Sequence, residues 1–137
     1  MRFLIALLIS EPRYQKLSWR AALLLYGAIV VIGSIPGARD DIGQLASGFS
    51  LHTAAYSILT LLLFCGMGGH AWGRACKSFL TITAMGIVDE CVQSFFPYRD
   101  GDPMDLLVDM NAGLLMSALL WAIWPKGDAG EHSRPAA

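Results

Sequence analysis

A chain of 137 residues that is 55% hydrophobic and only 15% charged carries a formal net charge of -1, which by itself says nothing about nucleic acid or an acidic partner, and no nucleic-acid partner is expected. Its mean hydropathy of +0.50 comes from long apolar blocks rather than amphipathic stripes, which predicts one integral membrane domain of all-α fold. The three cysteines, Cys65, Cys76 and Cys91, are too widely spaced to support a disulfide framework or a CxxC metal site, and no cofactor is implied.

In chain order, the segment 1–18 comes first. Its "RFLIALLIS" is too short to cross a bilayer, which takes ~20 apolar residues. Glu11 and Pro12 follow where a signal peptidase requires small residues, so this segment reads as a short helix at the membrane surface and not as a cleaved signal. Residues 19–125 form the membrane domain. Within it the blocks 21–35, 49–67, 78–96 and 104–124 approach spanning length, and a helix satisfies all its backbone groups within one segment. The expected fold is a four-helix transmembrane bundle. Four spans place Arg2, Arg13, Lys16, Arg20, Arg74, Lys77, Lys126 and Arg134 on one side and only Arg39 and Arg99 on the other. The positive-inside rule then makes both termini cytoplasmic and the protein a multi-pass component of the inner (cytoplasmic) membrane. Trp19, Trp72, Trp121 and Trp124 fall near the cytoplasmic boundary, and Phe95, Phe96 and Tyr98 near the outer one, as interfacial aromatics do. The tail 126–137 is small and polar and is expected to be disordered.

No phosphate loop, HExxH or GxSxG motif is present. Chemistry is therefore sought in the outward loops and the helix halves beneath them. On the third block, 100° per residue brings Thr83, Gly86, Asp89, Glu90, Gln93 and Pro97 to one face, with Ile87, Val88, Val92 and Phe95 on the rest. One Asp at a bilayer centre costs ~2.5–3.5 kcal/mol, and each Leu, Ile, Phe or Val returns only ~0.3–0.6. That face must point away from lipid. Asp89 and Glu90 lie about two turns below Pro97, and Asp109 sits ~9 Å down the fourth block, counted from Pro103 at ~1.5 Å per residue. His52 enters near the top of the second block with Tyr56 one turn below it. Asp89, Glu90, Asp105, Asp109, His52 and Arg99 are thus expected to share a hydrated, outward-facing pocket.

Simpler roles stand beside this one. Asp102, Pro103 and Asp105 make a good helix start, as N-cap, N1 and N3. His52 and Tyr56 can also be a pair reaching for the interface. Asn111 points elsewhere on its helix, toward a neighbouring helix, while Gly113 and Ser117 suggest close packing. Cys91 and Met116 read as core fillers. Asp89 and Glu90 can also form a buried polar knot that holds the helices together.

The run "DECVQSFFPYRDGDPMDLLVD" resembles the signature of the VanZ-like membrane proteins. The matching positions are Asp89, Glu90, Gln93, Phe95 or Phe96, Pro97, Arg99, Asp105 and Asp109. Upstream, "SIPG" at 34–37 and "LHTAAY", with His52 and Tyr56, are similar to the family's Ser-x-Pro-Gly turn and His-x-x-x-Tyr helix. The resemblance covers residues 20 to 124. Two positions depart from it: Gly48 and Phe49 stand where an Asp-Lys pair is common, and the glycine after the last acid comes one residue late, at Gly113.

The resemblance implies a cell-envelope membrane protein, with a link to reduced teicoplanin susceptibility. Two classes of function follow. One is a binder of membrane lipid or a lipid-linked cell-wall precursor, with Arg99, Gln93, Tyr56, Asp105 and Asp109 as binding residues. The other is a membrane-embedded acid-base enzyme acting on a phosphate-bearing head group, with Asp89 or Glu90 as base, His52 as its partner and Arg99 as clamp. A metal set of one histidine among carboxylates is not a specific signal, so none is expected. Proton-coupled transport fits four helices only in a homo-oligomer.

Overall fold

The computed structural model describes residues 11–37, 47–98 and 103–124. Over them the chain folds into four helices, α1 (Pro12–Gly33), α2 (Gly48–Gly66), α3 (Ala71–Gln93) and α4 (Pro103–Ile123), with no strand. The expectations for the first ten residues, for Arg99 and Asp102, and for the tail lie outside the described residues.

Helix ends follow local chemistry. α1 starts earlier than the block at 21 suggests, because Pro12 occupies the first helical turn, where its missing N–H is no loss. It therefore takes in Arg13, Lys16 and Arg20. Its C-terminus is set by Pro36, which disfavours helix at Ile35, and by Gly37 at a φ of +80°, which an L side chain rarely adopts. Ser47 caps α2, its hydroxyl accepting from the Ser50 N–H at 3.2 Å. His70 caps α3 in the same way, with Nδ1 accepting from the Gly73 N–H at 2.9 Å. Pro103 opens α4, with Asp105 in its first turn.

α1, α2 and α4 are long and apolar enough to cross a membrane. α3, the longest at 23 residues, is not among them. It carries Arg74 and Lys77 at one end and Asp89 and Glu90 at the other, which leaves an uncharged stretch over 78–88 of only ~16 Å against a ~30 Å core. α3 depends on its neighbours for cover. α4 packs along both α3 and α2, and α1 lies against α2 and meets α3 over a shorter stretch.

The packing is that of a protein whose solvent is apolar. Leu24, Val31, Leu80 and Leu115 point outward, while Asp89, Gln93, Asp105, Asp109 and Ser117 are buried. One core cluster joins Ala22, Tyr56, Leu59, Leu63, Ile82 and Ala112, and a second forms around Phe64, Ala75, Leu120 and Trp124. Small residues permit close approach. A Cβ on Gly66 would lie 2.9 Å from the Trp19 backbone nitrogen, and one on Gly113 would lie 2.7 Å from Ile82 Cγ2.

Two expectations need correction. Cys91 is exposed and not a core filler, since it falls on the outward face of α3. Asn111 is also exposed and bonds its own helix, donating to the Leu107 carbonyl at 2.8 Å, which removes the need for a partner across the bundle. Met116 does pack against the Phe64 cluster.

Candidate functional site

The polar face of α3 points inward. Gly86, Asp89 and Gln93 are buried, Thr83 and Glu90 are half-buried, and Ile87, Val88 and Phe95 are exposed. The 3.6-residue period places the apolar side outward and leaves the acids among other helices.

His52 is the centre of what they face. Its Nδ1 lies 2.9 Å from Asp109 Oδ1, and its Nε2 lies 3.7 Å from Asp105 Oδ2. Because a carboxylate only accepts, Nδ1 carries the proton and donates to Asp109. Asp109 is fully buried and Asp89 is 2% exposed, within electrostatic reach of His52, Tyr56 and Asp109. Gly86 makes room for this arrangement. A Cβ there would lie 2.9 Å from Leu106 Cδ1, whose side chain would have to shift, and in ordinary contact at 3.5 Å with Asp109 Oδ2, so α4 packs closely against α3 at this point. Asp105 is thus more than a cap residue: it sits in the first turn of α4 and also faces His52.

Tyr56 stacks on His52 with ring centroids 6.1 Å apart and planes 9° from parallel. Tyr56 is fully buried. Its hydroxyl is drawn toward the Asp109 carboxylate, yet neither that hydroxyl nor Asp109 Oδ2 reaches hydrogen-bond geometry with any described group. A buried, unsatisfied polar atom costs about 1–3 kcal/mol.

Beside these groups lies a cavity of about 250 Å³ in the cleft that α1 closes against α2 and α3. Its walls are apolar, with Ile29, Ile32, Leu51 and Ala55, and its polar boundary is His52, Tyr56, Asp89 and Gln93. The sequence-predicted residues His52, Tyr56, Asp89, Gln93, Asp105 and Asp109 therefore gather at one end of the bundle. Glu90 shares the α3 end, half-buried. Arg99 lies outside the described residues. Among the described residues no group of three or more histidines, cysteines and acids is placed to hold a metal ion.

The contacts of two polar residues escaped the sequence reading. Tyr26 on α1 donates to the Met85 carbonyl at 2.9 Å and lies within electrostatic range of Asp89, joining α1 to α3 beneath the cavity. Its place one turn before Ile29 and two before Gly33 was the available signal. Arg74 is 3% exposed at the opposite end of the bundle. It donates through Nε to the Gly69 carbonyl at 2.8 Å and lies 5.0 Å from the Trp124 ring, which ties the α2–α3 connection to α4. It belongs to the scaffold and not to the site.

No protein-family model, curated protein or solved structure matches this chain.

Proposed function

We propose that the protein is a VanZ-like envelope membrane protein with four spans and cytoplasmic termini, which binds a membrane lipid or lipid-linked precursor in the cavity beside His52. The observation that carries this reading is the fully buried Tyr56 hydroxyl, which lines an apolar cavity and has no hydrogen-bond partner among the described residues. An amphiphile fits both halves of such a site: its chain meets Ile29, Ile32 and Leu51, and its head meets Tyr56, Asp89 and Gln93. The four-span topology is supported by the shielding of α3 behind α4 and α2, and the outward face of the pocket by the scarcity of basic residues at its end. The connection to glycopeptide susceptibility rests on the resemblance alone.

Lipid analysis of the purified full chain tests this. A lipid enriched over its share of the surrounding membrane is expected with the wild type and not with Leu51→Trp, whose larger side chain fills the cleft. Identical lipid profiles in both, matching the bulk membrane, contradict the reading.

The acid-base reading has its own support. Asp109 orients the His52 ring through Nδ1 and leaves Nε2 on the side of Asp105, an arrangement suited to proton transfer. It predicts a lipid product of altered mass when the wild type is expressed, absent with His52→Gln.

A further inference from the structure

The opposite end of the bundle carries a second opening. A groove of about 550 Å³ lies between α1 and α3 at the end of α2, lined by Trp19, Gly66, Met67, Lys77, Leu80 and Thr81. Gly66 forms its floor, where the α2 backbone meets that of Trp19. Among the described residues no acid lines it. Its polar groups are Lys77, Thr81 and Trp19, and none of these three side chains has a hydrogen-bond or ion-pair partner among the described residues. An ammonium, a hydroxyl and an indole N–H can all donate. The carbonyls at the C-terminus of α2, which would repel an anion, are partly taken up by Arg74, whose guanidinium donates to the Gly69 carbonyl at 2.8 Å and lies 3.5 Å from that of Phe64. At this end of the bundle the described charges are Arg13, Lys16, Arg20, Arg74 and Lys77 against Glu11. Such a field draws in an anion.

We infer that this groove binds an anionic glycerophospholipid, its phosphate against Lys77, Thr81 and Trp19 and an acyl chain along Leu80. The site is separate from the cavity beside His52 and does not rest on what that cavity holds. Two observations carry it. The donors without acceptors mark where a phosphate completes the hydrogen bonding, and depth favours a lipid over a soluble anion. Lys77 lies ~9 Å along α3 from Ala71 and is followed by Leu80, which is 66% exposed, so its ammonium stands at the edge of the apolar layer. A choline head would bring its own positive charge to this basic end. An anionic head brings none.

The experiment uses the purified full chain in a neutral maltoside detergent, titrated with dioleoyl phosphatidylglycerol, dioleoyl phosphatidylcholine or inorganic phosphate, with thermal unfolding as the readout. Phosphatidylglycerol is expected to stabilise the wild type saturably at about tenfold lower mole fraction than phosphatidylcholine, and inorganic phosphate at matched ionic strength to have no effect. Lys77→Gln is expected to abolish the preference for phosphatidylglycerol. Lys16→Gln removes the same charge from a residue that does not line the groove, and is expected to keep that preference. Thr81→Val retains shape and removes one donor, so it is expected to weaken the phosphatidylglycerol response by about threefold or more, and it is the decisive variant if Lys77→Gln fails to fold. A preference unchanged in Lys77→Gln, or in Thr81→Val, overturns the assignment. Equal loss in Lys77→Gln and Lys16→Gln overturns it as well, since the response is then to net charge. Equal stabilisation by the two lipids, or none by either, overturns it too, and saturable stabilisation by inorganic phosphate replaces the lipid with a soluble anion.

Discussion

His52 and Asp109 are bound to each other across two helices, and neither can be removed alone without stranding the other. The pair is 2.9 Å apart with Asp109 fully buried, and breaking such a pair typically costs ~3–5 kcal/mol. Replacing both partners with apolar groups of similar size leaves no stranded polar atom from the pair and can be close to neutral. We therefore expect the double variant His52→Phe/Asp109→Leu to lose ~1.5–3 kcal/mol less than the two single variants added together, as measured by a double-mutant cycle in reversible denaturant unfolding. Additive losses would show that the two side chains act independently. Glu90 calls for a different substitution. Glu90→Gln keeps shape and most hydrogen-bonding capacity while removing the charge, so a working acid is expected to lose lipid retention at unchanged yield of folded protein. Disappearance from the membrane with full retention per remaining molecule would assign Glu90 to the scaffold instead.

At the scale of helices, packing turns on glycines that differ sharply in what surrounds them. Gly66 faces the backbone of Trp19, which cannot move aside, whereas Gly27 has nothing within 4 Å of a Cβ. Gly66→Ala is expected to cost ~1–3 kcal/mol by forcing α1 and α2 apart. Gly27→Ala, in the interior of an α1 that tolerates it, is expected to gain ~0.4–1 kcal/mol by restricting the unfolded chain. Comparing the two unfolding midpoints checks both signs at once. What the sequence revealed at this scale follows from periodicity. The inward polar face of α3 was legible because 100° per residue puts Gly86, Asp89 and Gln93 together whatever they contact. The partner across the helix gap was less so: Tyr26 meeting the Met85 carbonyl and Arg74 reaching the Gly69 carbonyl depend on side chains meeting backbone groups in three dimensions, which no single-helix pattern encodes. The start of α1 was misjudged because hydropathy sees Arg13, Lys16 and Arg20 as an interruption, while helix formation requires only that Pro12 stand at the first turn.

For the whole molecule, the arrangement has two unlike ends. Basic residues and tryptophans gather where α1 and α3 begin, and acids gather where they finish. If the positive-inside rule sets the orientation, a reporter fused at Ala137 is expected to be cytoplasmic, and single cysteines introduced at positions 38 to 46 are expected to react with an impermeant thiol reagent from outside. Reversed labelling would turn the acidic cavity to the cytoplasm and remove the outward-facing site. The central claim is that the polar cluster serves a ligand and does not merely hold helices together, and Tyr56 separates these roles. Its buried hydroxyl contributes an unmade hydrogen bond to the empty protein, so Tyr56→Phe is expected to match or exceed the wild type in thermal stability in lipid-free detergent. In nanodiscs made from native membrane lipid, the wild type is expected to gain stability that the variant does not. The measurement is therefore one pair of unfolding curves for each protein, in detergent and in native lipid. A variant less stable than the wild type by the same margin in both would contradict the account.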